Sequence, residues 1–214
     1  MSICEKICKK SDIFMASIGS ARKPYGFEAD PIDNPDKYHL TLFAKDDTGL
    51  VRLYGRQKGV GRTSVYIERE KLPKTSRMLD TYKLFVVKAW GNMDEKNGYL
   101  GGSYSRILIA EPRDCCSEMY IEFGPFASCQ EAENAKKYFY TKFFRAAFYK
   151  NKLSQNTARE TYSSVPMQDF TESSDIDWSK SLDEIDEQLF DKYELSNEER
   201  SFVKEKIKPV EDEL

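Results

Sequence analysis

Residues Gly55-Arg56-Gln57-Lys58-Gly59-Val60-Gly61-Arg62-Thr63 interleave three glycines with three cations. Such a loop lets backbone N–H groups approach phosphate, and its arginines can read guanine bidentately. A nucleoside-triphosphate loop is excluded, because it needs a lysine and then Ser or Thr after its last glycine, whereas Gly61 is followed by Arg62-Thr63. The dinucleotide pattern GxGxxG is absent as well. Asp36 after Pro35, with Asp94-Glu95-Lys96 further on, supplies the carboxylates and lysine that a magnesium-dependent nuclease uses, but such fragments arise easily in a chain this charged and solvated acidic turns are the simpler account. The single histidine, His39, leaves Ser–His or Cys–His catalysis without an obvious base.

Cations elsewhere point to a polyanion. Ser20-Ala21-Arg22-Lys23 is a second basic loop. From Lys136 to Arg159 there is no acid, while Lys136, Lys137, Lys142, Arg145, Lys150, Lys152 and Arg159 alternate with tyrosines and phenylalanines. Gln155, Asn156 and Thr157 near its end could hydrogen-bond base edges. The residues expected to contact DNA are Arg22, Lys23, Arg56, Lys58, Arg62, Thr63, Lys88, Lys142, Arg145, Lys150, Gln155, Asn156 and Arg159.

The overall charge of −3 conceals this pattern. Residues 169–214 carry 16 acids and 6 bases, whereas residues 1–168 carry 20 acids and 27 bases. An acidic total would argue against nucleic acid; a basic body with an acidic tail does not. The five cysteines, with Cys115 and Cys116 adjacent and no CxxC, form no disulfide or zinc framework, so free thiols and no metal are expected. No apolar run is long enough for a membrane helix, and the N-terminal MSICEKICKK lacks the apolar stretch of a signal peptide, so a cytoplasmic location is expected.

The elements that must position these residues are legible in outline. Apolar or alternating runs predict strands at Ile13–Gly19, Tyr38–Phe43, Leu50–Tyr54, Val65–Ile67, Tyr82–Trp90, Arg106–Ala110 and Met119–Phe123. The run YKLFVVKAW, β-branched and aromatic, is the strongest of these. Ser128 and Glu131 form a capping pair, which starts a helix at Cys129 that should run to about Lys150, with Ala132, Ala135, Phe139, Phe143 and Ala146 on one face. Ser181 with Glu184 and Ser196 with Glu199 open two short acidic helices, with stripes Leu182/Ile185/Leu189 and Phe202/Val203/Ile207. The fold class predicted is α+β: a mixed β-sheet, one main packed helix and a C-terminal helical tail, divided as a body of residues 1–168 and an acidic tail of 169–214.

Read in order, these segments resemble a known family. Ser20-Ala21-Arg22-Lys23-Pro24-Tyr25-Gly26-Phe27 resembles S-x-R-K-P-F-G-L; residues 80–91, DTYKLFVVKAWG, resemble D-K-Y-K-V-L-[IV]-[SP]-K-A-Y-G. Residues 110–120, AEPRDCCSEMY, resemble E-P-x-[ST]-x-C-T-E-T-Y, and Gly124-Pro125-Phe126 leads into the helix in the same way. Residues 140–145, YTKFFR, 165–170, VPMQDF, and 191–199, DKYELSNEE, resemble I-K-T-K-F-F-R, V-P-x-Q-D-F and K-Y-G-L-[ST]-x-E-E. The family is the C-terminal, target-recognition region of adenine-specific DNA methyltransferases of type II and type III-like restriction–modification systems. The resemblance implies a double-stranded DNA recognition domain that is not itself an enzyme, with S-adenosylmethionine bound by a partner catalytic domain or subunit. The stretch 28–64 has no counterpart, which suits a segment that varies with the target. The Asn/Asp-Pro-Pro-Tyr/Phe catalytic motif is absent. The other readings are a metal-dependent nuclease using Asp36, Asp94 and Lys96, and a protein-interaction subunit without DNA contact.

Overall fold

A computed structural model describes residues 3–46, 49–88, 107–149 and 157–208. The fold is α+β, as the pattern predicts. Helix α1 (Ile3–Lys10) precedes the strands β1 (Val51–Gln57), β2 (Gly61–Ile67), β3 (Tyr82–Val87), β4 (Leu108–Ala110), β5 (Asp114–Cys116) and β6 (Tyr120–Phe126). Helices α2 (Cys129–Tyr140), α3 (Lys142–Tyr149), α4 (Leu182–Lys192) and α5 (Asn197–Lys206) follow.

The strands form two three-stranded sheets rather than one. The first has the order β2-β1-β5, with β1 and β2 antiparallel and β1 and β5 parallel. The second, β4-β3-β6, is antiparallel throughout. Strand β3 is central to both cores. Because side chains alternate along a strand, Leu84 and Val86 enter the core shared with the helices, while Phe85 and Val87 enter the core shared with the first sheet. Burial on both faces explains why this run reads as continuously apolar.

On the helical side, three serines cap as their spacing predicts. The hydroxyls of Ser128, Ser181 and Ser196 accept from the backbone N–H groups of Glu131, Glu184 and Glu199. At α4 and α5 the glutamate reaches back to the serine N–H; at α2, Glu131 accepts from Ala127 instead. Ile185, Leu189, Val203 and Ile207 are buried, whereas Phe202, expected in the same stripe, is 48 % exposed.

Ahead of the main helix, three expected elements differ. The expected strand at 13–19 is a 3-10 turn, Met15–Ile18, between single bridges of Phe14 to Pro166 and Gly19 to Phe123. In place of a strand over 38–43, a 3-10 turn at Pro35–Tyr38 ends at His39, exposed and in the left-handed region, and only Phe43 pairs, with Tyr66. The glycine-rich stretch 55–63 is not a loop: it belongs to the β1–β2 hairpin, in register from Val51↔Ile67 to Gln57↔Gly61. The alternation of small and charged residues there hides a strand whose pairing is supplied by its partner.

The hairpin is attached through β5. Arg52 and Asp114 are partners in the parallel pairing, and the guanidinium meets the carboxylate bidentately, Nε to Oδ1 at 2.9 Å and Nη2 to Oδ2 at 2.8 Å. Asp114 also accepts from the Glu111 N–H at 2.9 Å, and it is only 3 % exposed. Removing Asp114 leaves the part-buried Arg52 guanidinium and the Glu111 N–H without their acceptor, which costs about 1–3 kcal/mol. Asp114→Ala is therefore expected to lose about 2 kcal/mol in chemical denaturation; a loss of less than about 1 kcal/mol would mean that the pair is not what secures the hairpin.

Candidate nucleic-acid interface

The hairpin tip is built for outward-facing cations. Gly55 lets the 28–37 segment close on the strand, since a Cβ there would lie 3.0 Å from Ile32 Cδ1. Both Asp33 carboxylate oxygens accept from the Lys58 backbone N–H at 3.0 Å, which pins the turn. Gly59 and Gly61 take positive φ, 79° and 99°, as this turn requires. Arg56 and Arg62 are directly opposed across the two strands and both are exposed. Opposed residues project from the same face, and like charges so placed repel. Among the described residues neither arginine, nor the Lys58 ammonium, has a carboxylate partner. Val60, between them, is 66 % exposed. A groove of about 370 Å3 runs from the hairpin to the second sheet, lined by Tyr54, Arg62, Thr63, Val87 and Tyr120 among others.

Val87 also lines a second, larger cleft of about 580 Å3, where Arg22, Lys88 and Arg159 converge. Three chain segments are clamped to make it. The Ser20 N–H donates to Glu122 O while its hydroxyl accepts from the Glu122 N–H, fastening the Arg22 loop to β6. Lys88 donates its N–H to Met119 O at 2.9 Å. Its carbonyl accepts both the Thr157 N–H and the Thr157 hydroxyl, each at 3.0 Å. Gly19 makes room, since a Cβ there would lie 3.1 Å from Arg159 Cβ.

Carboxylates partly neutralise this cleft. Arg22 Nε donates to Glu118 at 3.1 Å and Arg159 Nε to Glu160 at 2.9 Å. Lys23 pairs with Glu28 at 3.0 Å, and its ammonium is 3.9 Å from Glu118. Lys37 and Lys23 together hold the Glu28 carboxyl down at about 2. Lys88 makes no ion pair among the described residues, and burial pushes its pKa below the usual lysine range, with Glu118 opposing. Glu118, Tyr54 and Tyr120 were not legible as site residues, because each matters through a partner distant in sequence or through its place on a sheet; Glu160 was not either, although its partner Arg159 is adjacent.

Within the described part of the basic segment expected over 136–159, Arg145 is buried and Lys136, Lys137 and Lys142 are half-exposed. The helix breaks at Thr141, whose backbone is extended at ψ 149° and whose hydroxyl accepts from the Phe144 N–H. Asp186 of α4 then caps α3, accepting from Lys142 N–H at 2.9 Å and Phe143 N–H at 2.8 Å. The break turns Phe143, Phe144 and Phe148 into the core. The cations follow: Lys137 donates to Trp178 O, Lys142 to Lys204 O, and Arg145, 2 % exposed, to Thr141 O. Lys142 thus ties α3 to α5, and Arg145 is removed from any outer surface. Lys150, Gln155 and Asn156 lie outside the described residues, as do Trp90, Asp94 and Lys96. Asp36 sits in the Pro35–Tyr38 turn, and no group of three His, Cys, Asp or Glu side chains is placed to hold a metal among the described residues. No helix among them is long and apolar enough to cross a membrane.

Comparison of the chain with protein-family models, with curated proteins and with solved structures gives no match.

The Asp186 cap has a measurable signature. Burial pushes its carboxyl up to about 6 from 3.8, although the two N–H donors pull it down. An acid whose folded pKa is raised binds protons more readily when folded, so its penalty is absent below the unfolded value and complete above the folded one. Acidifying from about pH 7 to about pH 4.5 should stabilise the wild type by on the order of 2 kcal/mol relative to Asp186→Asn. Denaturation of both proteins at the two pH values checks this; parallel pH profiles would contradict it.

Proposed function

We propose that this chain is a double-stranded DNA recognition domain whose β1–β2 hairpin enters the major groove. The observation that carries the reading is the Arg56/Arg62 pair, two opposed and exposed cations without a counter-charge among the described residues, on a two-stranded ribbon beside Lys58. B-DNA's major groove admits a two-stranded ribbon, and bidentate arginine-to-guanine contact is the commonest specific contact there. Repulsion between the two arginines costs stability in isolation and is relieved by phosphate or guanine acceptors. Arg22, Lys88 and Arg159 extend the basic surface past Val87, where the two clefts meet, and with the neighbouring Lys23 would fix register through phosphates.

The resemblance of the segments between residues 20 and 199 supports a finer version. In it, the domain positions an adenine-specific methyltransferase of a bacterial restriction–modification system, acting in the cytoplasm. S-adenosylmethionine and the catalytic motif belong to a partner domain or subunit. The target-reading segment would lie within residues 28–64, the stretch that also contains the hairpin tip.

Fluorescence anisotropy with a pool of random duplexes, at low and moderate salt, tests the reading. Wild type is expected to bind with micromolar, salt-sensitive affinity. On the random pool, where binding is non-specific and the two arginines would contact phosphates, Arg56→Ala/Arg62→Ala should reduce the slope of log K against log salt by about 2. Lys142→Ala, on the helical side, should leave binding unchanged. Salt-independent binding, or equal binding by the double variant, would refute the hairpin account; no binding at low salt would favour the protein-interaction reading.

A further inference from the structure

We infer that the cleft between the Arg22 loop, the end of β3 and the 157–160 segment is a nucleotide-phosphate site, with Lys88 as its central cation. The inference takes its choice of a nucleotide from the DNA reading above, but the cleft and the hairpin are separate features and can fail separately.

The charge arithmetic comes first. The cleft is lined by three cations, Arg22, Lys88 and Arg159, and by two carboxylates, Glu118 and Glu160. Each carboxylate already holds one arginine. Lys88 is the cation left over: its side chain is half-buried, and its ammonium has no ion pair or hydrogen bond among the described residues. A partly desolvated cation without a partner costs free energy that an anion in the cleft would recover.

The donors favour phosphate among anions. Arg22 and Arg159 each use Nε on a carboxylate, and no other hydrogen bond from either guanidinium falls among the described residues. Their remaining N–H groups are open. Two guanidinium forks and one ammonium around one cavity suit an anion with several acceptor oxygens.

Size and lining favour a nucleotide over a bare ion. A volume of about 580 Å3 is far more than inorganic phosphate fills, and it lies within the usual range for small-molecule sites. Val87, Met119, Ala29 and Ala158 offer an apolar wall against which a sugar or base could lie. The walls are fixed rather than loose, being held by the paired bonds of Ser20 to Glu122 and of Thr157 to Lys88. The phosphate could belong to a DNA backbone or to a free nucleotide.

Isothermal titration of the whole chain with adenosine monophosphate, adenosine and a short duplex separates these sources. Wild type, Lys88→Met, Lys88→Arg and Arg56→Ala/Arg62→Ala would be compared, after thermal melts confirm that each folds. Adenosine monophosphate should bind wild type, Lys88→Arg and the hairpin variant alike, and Lys88→Met at least about tenfold more weakly. Adenosine, lacking the charge, should bind wild type and Lys88→Met equally. A fall in duplex affinity for Lys88→Met without binding of the free nucleotide would assign the site to the DNA backbone; nucleotide binding that depends on Lys88 with unchanged duplex affinity would assign it to a free nucleotide. If Lys88→Met matches wild type for both the nucleotide and the duplex, the inference is wrong. In that case a weakened hairpin variant would leave the DNA reading standing. If wild type binds no duplex but binds the nucleotide through Lys88, the DNA reading fails and the site remains.

Discussion

Arg52 and Asp114 meet where β1 and β5 run parallel, and the placement of the hairpin depends on that junction. A two-stranded hairpin alone is marginal in water. Here β1 gains a third strand on its inner edge, and the bidentate pair secures the register at the point of attachment. Arg52 also lies over the Tyr54 ring, 5.0 Å from its centroid, and Tyr54 packs edge-on against Phe85 of β3 at 5.4 Å. One chain of contacts therefore runs from β5 through the hairpin base to the central strand. The base is held in the core while Arg56, Lys58 and Arg62 project beyond it.

The two sides of the molecule use cations in opposite ways. On the helical side, Lys137 and Lys142 donate to backbone carbonyls of distant segments and draw them together, while Arg145 donates to Thr141 O at the start of its own helix. Lys83 is the extreme case: wholly buried in β3, it donates to the carbonyls of Leu79, Thr81 and Glu111, and burial lowers its pKa. Glu122, also buried, is held by the Ser76 hydroxyl and has its pKa raised by the same desolvation. These charges are used up within the fold. At the hairpin and in the Lys88 cleft, by contrast, cations lack partners among the described residues or keep spare donors. That contrast separates structural lysines and arginines from those positioned for an external anion, although composition treats them alike.

Legibility follows the range of the forces involved. The serine caps of α2, α4 and α5 act over three residues, and β3 carries its burial in its own composition; each was readable locally. The break at Thr141 was not, because the groups that stabilise it include Asp186, which lies 44 residues from Lys142. The tip at 55–63 read as a loop because glycine has low strand propensity, and the register that makes it a hairpin is set by pairing with β1. The helical cations read as a surface because periodicity reports spacing and is silent on what covers a face.

Local chemistry in the chain thus determined the α+β class, the capped helices, the central strand and the basic loop around Arg22. These depend on interactions between near neighbours and on side-chain polarity. Tertiary structure alone decided which cations remain outward. It removed Arg145 into the core, opposed Arg56 to Arg62 across the hairpin, and brought Arg22, Lys88 and Arg159 to one cleft. The physical reason is that a charge's role is set by its burial and its counter-charges, and both are contributed by residues far away in the sequence.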